Sequence, residues 1–600
     1  MIIASGIVPL KLKESEVTVS TTLLPVAPFV PVVSAHTHPA DIIANITRRE
    51  IADAKVLFIN MPLRESARPN TTPEGPLLLV TRLRKEFGVN ATIIDLNAYR
   101  IKDETAKKRG LVHGRHLSGE ETFGLIRRHI ARHGEPELVA LSGKITTLRW
   151  QEEVVKMVRN ILPDVFIVSG GGLATELKMG MFFYIPELDA AAHSEGDDII
   201  VKIVHDAKII KQQGWRSAVA SDKLEPYYIG KVWDRHRFVY AGDRPKDLDA
   251  LPFVDLELLR EDVDGNPLLD WYLQVPAWSA NANNSSAAPW QDKDVVPKTT
   301  SVSSRGCPFG CKYCFRKTQG ERNWGVRSAG HIMRELMEHI ERYDIKFHGF
   351  PDDNFAVTLS RIKDLNNLVA WGTHTRLDEV AGLNATTKGT AEIMAKAGCK
   401  YIGFGPESAS AKVLEAIGKG GHTLTNGFTE VMVGGRKHSF PTSMIVGIQE
   451  AARVGIHGNC TWIVGSPTEK IKDVQESVRF IQWQMEYYSQ FGTKPEAVNS
   501  RMFTMTWYPG VTLINNNKVR AELSRVFGLS FQRVATNPNI VEWDPVMDEK
   551  FHHYLRELDD ATKVLEVGGE PLNFSDMSND QFLKVRECID NGRTLDILSL

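Results

Sequence analysis

At 600 residues the chain has room for about three or four domain-sized units and a large buried core. Its charges nearly cancel, to a formal net −2, so there is no electrostatic case for nucleic acid or an anionic membrane as main partner, and a small molecule becomes the default. Six cysteines in so long a chain do not make a disulfide framework, and the clustering of three of them reads as reduced ligands in a cytoplasmic setting.

Residues 1–50 read as an extended arm. Its apolar run at 23–33 is broken by Pro25, Pro28 and Pro31, is too short to span a bilayer, and lacks the basic start of a secretory signal. His36 and His38, in A-H-T-H-P, stand alone where a metal site needs three or four converging ligands, and read as ordinary polar residues.

From 51 to 215 apolar runs alternate with amphipathic ones. Strands are expected at 55–60, 91–96, 138–142 and 165–169, with helices at 77–87 and 150–162. The alternation predicts an α/β unit, a doubly wound Rossmann-like parallel sheet with its ligand at the carboxyl ends of the strands. At those ends lie the loop 62–75, the L-S-G-K-I-T run at 141–146 and the S-G-G-G-L-A-T run at 169–175, where glycine lets a large ligand approach the backbone.

Periodicity fades from 216 to 297, which reads as a linker and interface segment. The run at 279–288, S-A-N-A-N-N-S-S-A-A, is loop by composition. So long a structureless connection is unusual unless functional. Trp271, Tyr272, Trp278 and Trp290 within it either reach a substrate or anchor the linker.

At 305–316 the chain reads R-G-C-P-F-G-C-K-Y-C-F-R, with three and then two residues between Cys307, Cys311 and Cys314. No fourth Cys or His lies nearby to complete a zinc site, and three thiolates suit an iron–sulfur cubane that keeps one iron open. Strands at 345–350, 371–375, 400–405 and 498–504 then alternate with helices at 332–343, 359–370 and 390–397, which predicts a partial (β/α)6 TIM-type barrel over 298–515 with polar residues at its strand ends. An insertion at 419–456 is read as a pocket wall or a surface loop, and 516–600 as a mostly helical C-terminal region. Cys399, Cys460 and Cys588 read as structural cysteines.

The C-x3-C-x-aromatic-C string, behind a β-like run at 299–304, resembles the signature of the radical S-adenosylmethionine (SAM) enzymes. The resemblance implies a [4Fe-4S] cluster on Cys307, Cys311 and Cys314 whose open iron chelates SAM, and reductive cleavage of SAM to methionine and a 5′-deoxyadenosyl radical. It further implies that Tyr313, Asp352, Asp353, Asn354, Arg376, Glu407, Ser408, Ile463, Gly465 and Glu469 lie along SAM: the aspartates and Asn354 at its amino group, Arg376 at its carboxylate, Glu407 and Ser408 at the ribose, and the last three at the adenine. The runs at 141–146 and 169–175, with L-D-A-A-A-H-S-E-G-D-D at 188–198, resemble the cobalamin (B12)-binding domain that precedes the barrel in one large subgroup. That subgroup usually ends the last segment G-E-G-E, and Ser194-Glu195-Gly196-Asp197 stands in its place. Cobalamin is then expected along Ser142, Gly143, Thr146, Gly171, Gly172 and Glu195, with the loop bearing Pro62, Arg64 and Arg68 facing one side of the corrin. No D-x-H-x-x-G histidine is present as lower ligand, and Arg64 and Arg68 are the candidates for that position.

The activity that the resemblance implies is methyl transfer through methylcobalamin to an unactivated carbon of a small-molecule substrate, with a flavodoxin- or ferredoxin-type low-potential electron donor. Two alternatives stay open: cyclisation or rearrangement without net methyl transfer, as in the anaerobic porphyrin-ring cyclase, and a non-catalytic cobalamin- or cluster-binding sensor.

Overall fold

The apolar runs of the first domain become strands buried on both faces, as the middle of a parallel sheet requires. The computed structural model describes residues 37–278, 294–315, 324–537, 540–559, 565–567 and 569–600. Strands β1 (Lys55–Asn60), β2 (Asn90–Asp95), β3 (Leu138–Ser142), β4 (Phe166–Gly170) and β5 (Ala190–His193) pair in parallel in the order β2-β1-β3-β4-β5. Alternation along β1 sends Val56 and Phe58 to one face and Leu57 and Ile59 to the other, so the sheet carries a separate core on each side. Helices α1 (Glu74–Phe87) and α4 (Ile199–Val219) flank one face, and α2 (Gly119–His133) and α3 (Leu148–Ile161) the other.

The stretch read as a linker supplies two more strands to this sheet. β7 (Arg235–Ala241) pairs in parallel with β5, and β6 (Tyr228–Val232) antiparallel with β7. Their two-residue turn is Trp233-Asp234, both left-handed at φ 50° and 61°. Asn-Gly or Asp-Gly is the usual mark of such a turn, and its absence hides the hairpin from sequence patterning. Trp271 stands edge-on to Tyr99, and the buried Tyr272 hydroxyl donates to Asp95 at 2.6 Å, so these two aromatics anchor the segment. Residues 279–288 and Trp290 lie outside the described residues, as does His36. The end of the expected arm is not extended: Pro39–Ile43 and Arg48–Ile51 are short helices, the second started by the Thr47–Glu50 capping box.

A second, six-stranded parallel sheet follows, in the order β8 (Lys298–Thr300), β11 (Phe347–Phe350), β12 (Ala370–Thr375), β13 (Cys399–Glu407), β16 (His457–Val464), β17 (Met502–Thr504). It is the curled half-barrel anticipated. The helix expected at 359–370 ends at Lys363, before Asn366 and Asn367, whose side chains compete for backbone hydrogen bonds. Within the insertion, β14 (Phe428–Val433) and β15 (Arg436–Pro441) form a hairpin across Gly434-Gly435, both at positive φ. The C-terminal region has helices at Asn517–Phe527, Glu549–Glu557 and Asn579–Asp590, and also a hairpin, β18 (Phe531–Asn537) with β19 (Ile540–Pro545). Helix Glu549–Glu557 returns to α3, where His552 meets Glu152 at 2.5 Å. Among the described residues no helix is long and apolar enough to cross a membrane.

Trp278 closes the half-barrel from within. Its indole stacks on Tyr401 and donates to His374 Nε2 at 3.2 Å. Gly372 makes room: a Cβ there would stand 3.0–3.1 Å from Trp278, Phe347 and Tyr401. Gly372→Ala is therefore expected to cost about 1–3 kcal/mol through overpacking. Urea denaturation reads this as a lowered midpoint at unchanged slope.

Candidate functional site

The cysteine loop leaves β9 (Ser304–Arg305), which pairs with β10 (Gly325–Val326), and turns at Gly306, φ 77°. Its base is rigid. Asp352 accepts from the Ser303 amide and from the Ser303 and Ser304 hydroxyls at 2.6–2.7 Å, and buried Arg361 holds the Ser303 carbonyl at 2.9 Å. Its far end is pinned where the Lys312 amide donates to Ile417 O at 2.8 Å. Cys307, Cys311 and Cys314 are half-buried on this loop, while Cys399, Cys460 and Cys588 are buried. Burial, with Asp353 and Cys311 adding to it, raises the Cys307 thiol above its ordinary value. Among the described residues no three or more Cys, His, Asp or Glu gather tightly around a single metal ion. A cubane takes one thiolate at each of three irons, and so needs its thiols spread.

Arg376, at the carboxyl end of β12, stands against the loop. Nη1 is 3.9 Å from Cys311 Sγ, the guanidinium lies 4.3 Å over the Phe309 ring, Nε is bonded to Asp378 at 3.0 Å, and Nη2 is buried without a partner. A planar cation with one donor unspent beside a thiol loop is equipped to take a carboxylate. At the end of β13, Glu407 adopts φ 65°, accepts from Tyr313 OH at 2.9 Å and pairs with buried Lys419 at 3.3 Å. Burial and then Glu407 push the Tyr313 hydroxyl well above its ordinary value, so it stays a donor.

At the ends of β16 and β17 the buried Ser466 Oγ, Thr468 Oγ1, Thr504 Oγ1 and Trp507 Nε1 lack partners, as does Glu469 Oε1. Such a concentration of unspent polar atoms marks a place for a polar ligand. Glu469 Oε2 accepts from the Gly465 amide at 2.7 Å, and burial raises the carboxyl to about 8. It is therefore protonated in the folded chain at neutral pH. Its contribution to stability is complete below about pH 4.5, the unfolded value, and is lost as pH rises through about 8. Glu469→Gln should match the parent at pH 4 and exceed it at pH 9 by a few kcal/mol, on the order of that linkage, when unfolding is followed in denaturant at both pH values.

The remaining expected residues divide. Asp353 is exposed beside Cys307, whereas Asn354 is turned inward to Thr375 and Glu379, at 2.7 and 3.1 Å. Asp352 is spent on the loop base, and Ser408 is fully buried against Ser477. Ile463 is half-buried in β16, opposite Phe503, and Gly465 takes φ 95° just after it.

A cavity of about 330 Å³ opens at the carboxyl ends of β3, β4 and β5, between the sheet and helices α1 and α4. Ser142, Gly171 and Glu195 line it, with Ile199, Ile200 and Ile203 as an apolar wall, and its far side is Arg305, Gly306 and Asp353 of the cysteine loop region. Gly143 packs behind: a Cβ on Gly171 would stand 2.7 Å from the Gly143 carbonyl. Thr146 is buried in the turn Ile145–Thr147, Gly172 starts the helix Gly172–Leu177, and buried Pro62, half-buried Arg64 and exposed Arg68 follow β1. Arg100 fixes that loop through the carbonyls of Arg64 and Ala67, at 2.6 and 2.7 Å.

Patterning missed Glu74, Asp197 and Arg305 in the cavity wall, and Phe309, His374 and Lys419 around the barrel mouth. The S-E-G-D segment signalled Asp197; Arg305 carried no signal beyond preceding the first cysteine.

Residues 301–481 match the Radical SAM superfamily. The chain is 26% identical over 416 residues to the uncharacterized methyltransferase PH0819 of Pyrococcus horikoshii, covering 66% of this chain and 77% of the relative. It is 20% identical to the anaerobic magnesium-protoporphyrin IX monomethyl ester cyclase of Cereibacter sphaeroides, over 71% of this chain and 60% of that one. Its fold is similar to the cobalamin-dependent S-adenosylmethionine radical enzyme OxsB, solved with aqua-cobalamin and S-adenosylmethionine bound, at a TM-score of 0.55 and 14% identity, over 84% of this chain and 66% of that one.

Proposed function

We propose that this chain, whose residues 301–481 match the Radical SAM superfamily and whose fold is similar to that of a cobalamin-dependent S-adenosylmethionine radical enzyme, is an enzyme transferring a methyl group from SAM, by way of cobalamin, to an unactivated carbon of a small molecule. The observation that supports this reading is one cavity lined both by the carboxyl ends of the first sheet and by the start of the cysteine loop, where the two proposed cofactor sites would face each other. When bound, the cluster supplies the electron that cleaves SAM, and the cobalamin carries the methyl group.

The chain's own residues have distinct tasks. Cys307, Cys311 and Cys314 hold the cluster, and the free Nη2 of Arg376 takes the SAM carboxylate beside Cys311. Asp353, exposed beside Cys307 on the cavity wall, is the acidic group that meets the SAM amino group in this reading. Glu407, oriented by Tyr313 and Lys419, takes the ribose, and the unspent atoms around Gly465 and Glu469 suit the adenine. Ser142, Gly171 and Glu195 receive one arm of the cobalamin; 330 Å³ is too little for a whole corrin, which would stand outside, toward the loop bearing Pro62, Arg64 and Arg68. Exclusion of water protects a radical from quenching, and Trp278, by closing the half-barrel, serves that end. The division that goes with this reading is a cobalamin domain at 51–241, a radical SAM core at 298–515 and a C-terminal region beyond. A flavodoxin- or ferredoxin-type donor and a cytoplasmic setting complete it.

Anaerobic reconstitution with iron, sulfide and hydroxocobalamin, followed by turnover of methyl-labelled SAM under a low-potential reductant, tests the proposal. Both cofactors should bind, and 5′-deoxyadenosine and S-adenosylhomocysteine should both form. Deoxyadenosine without S-adenosylhomocysteine would favour ring closure, the activity in the name of the Cereibacter relative. No cleavage of SAM at all would leave only a binding protein.

A further inference from the structure

Arg305 connects the two sites physically. It directly precedes Gly306 and Cys307, yet its guanidinium is spent on the first domain: Nη1 lies 2.7 Å from Glu195 Oε2 and 2.7 Å from Asp197 Oδ2, and Nη2 donates to Asp197 Oδ1 at 3.1 Å. The two carboxylates belong to the S-E-G-D loop after β5 and stand in the cavity wall with Ser142 and Gly171. Their loop has contacts within the first domain as well. Ser194 before them is left-handed at φ 68°, Arg244 takes the other Glu195 oxygen at 2.7 Å, and a Cβ on Gly242 would overlap the Glu195 carbonyl. On the same loop, Arg82 holds the Asp197 carbonyl and Asp198 at 2.7 Å. The one group in this wall that comes from the barrel's cysteine-bearing segment and carries a charge across is therefore Arg305, among the residues bonded to Glu195 and Asp197.

We propose that Arg305 is a positioning residue that couples the sites: a cluster assembled on Cys307, Cys311 and Cys314 tightens cobalamin binding in the cleft, and bound cobalamin steadies the cysteine loop in return. The inference rests on the proposed function for the identity of both ligands. The physical cause is pre-organisation. Closing the cysteine loop around a cluster fixes the backbone at Gly306 and hence the guanidinium one residue away. With Arg305 fixed, Glu195 and Asp197 are already set when a ligand enters, and the ordering cost of the wall has been met. Coupling of this kind is reciprocal, and is typically about 5- to 150-fold in affinity. An arginine is required because its planar fork spans two carboxylates at once, which a lysine ammonium does less well.

The test is hydroxocobalamin affinity, read from absorption titrations of anaerobic protein with and without its cluster, in the parent chain, Arg305→Lys and Asp197→Asn. The parent should bind at least about 5-fold more tightly when the cluster is present. In both variants that ratio should fall toward one, while their iron content and cluster spectrum match the parent. Equal affinity of the loaded and cluster-free parent overturns the proposal, as does a parent-like ratio in a variant with an intact cluster. If Arg305→Lys fails to fold or to assemble a cluster, the parent ratio and Asp197→Asn decide. Failure of the underlying reading looks different: no cobalamin binds in either state, and the coupling falls with it.

Discussion

Cys311→Ala is expected to abolish the cluster and, with it, SAM cleavage, leaving iron content and 5′-deoxyadenosine at background. The three thiols share one loop, and the chain has no replacement within reach, because Cys399 and Cys460 are buried in the strands β13 and β16, and Cys588 in the C-terminal helix Asn579–Asp590. A site with two thiolates cannot hold three irons of a cubane. Fold stability should barely change, since Cys311 is half-buried and surface-loop substitutions usually stay within about ±0.5 kcal/mol. Cys307→Ala and Cys314→Ala should behave alike. Cys588→Ala is the informative contrast: cluster and turnover intact, with a loss confined to stability. Iron analysis, anaerobic absorption spectra and product chromatography, beside a denaturation curve, separate the two patterns. A Cys311→Ala protein that still cleaved SAM would remove the triplet from the chemistry.

Glu407 gives the second large effect, and it has two components. Its side chain is the charge partner of Lys419, which is buried, so Glu407→Ala strands an ammonium group and is expected to cost roughly 3–5 kcal/mol of stability. Its backbone is held at φ 65°, a conformation that costs of order 1–3 kcal/mol for a residue with a side chain and is tolerated where function requires the geometry. The double variant Glu407→Gln with Lys419→Met removes both charges and should recover most of the stability. It should not recover SAM cleavage, because the proposed ribose position keeps only a neutral amide oxygen in place of the stronger carboxylate acceptor. Unfolding free energies for both variants, with the KM for SAM, form the comparison. Restored turnover in the double variant would reduce Glu407 to a structural partner of Lys419.

Much of this protein was legible locally. The cysteine spacing, the glycine run after β4 and the two-sided apolar strands β1 and β3 are each defined by a handful of neighbouring residues, and strands buried on both faces show as continuous apolar runs. Arg376, Tyr313 and Glu407 were named by the resemblance to the radical SAM enzymes, which gives roles to polar residues at barrel strand ends and beside the cysteines. The hairpin β6–β7 was not legible, because Trp233-Asp234 turns the chain without the glycine or asparagine that usually betrays positive φ.

What the tertiary structure alone decided is how these parts face each other. Neighbouring Asp352, Asp353 and Asn354 look equivalent in sequence; packing buries the outer two, against Ser303 and Thr375, and sets the middle one, exposed, beside Cys307. Trp278 finds His374, and Arg305 finds Glu195, across 96 and 110 residues. Such pairs have no sequence signature, since a hydrogen bond or an ion pair depends on distance and direction in space, and both arise only when two separately patterned sheets have docked. The cysteines determined the chemistry available to the chain, and the docking of the sheets determined that its two proposed cofactor sites open on one cavity.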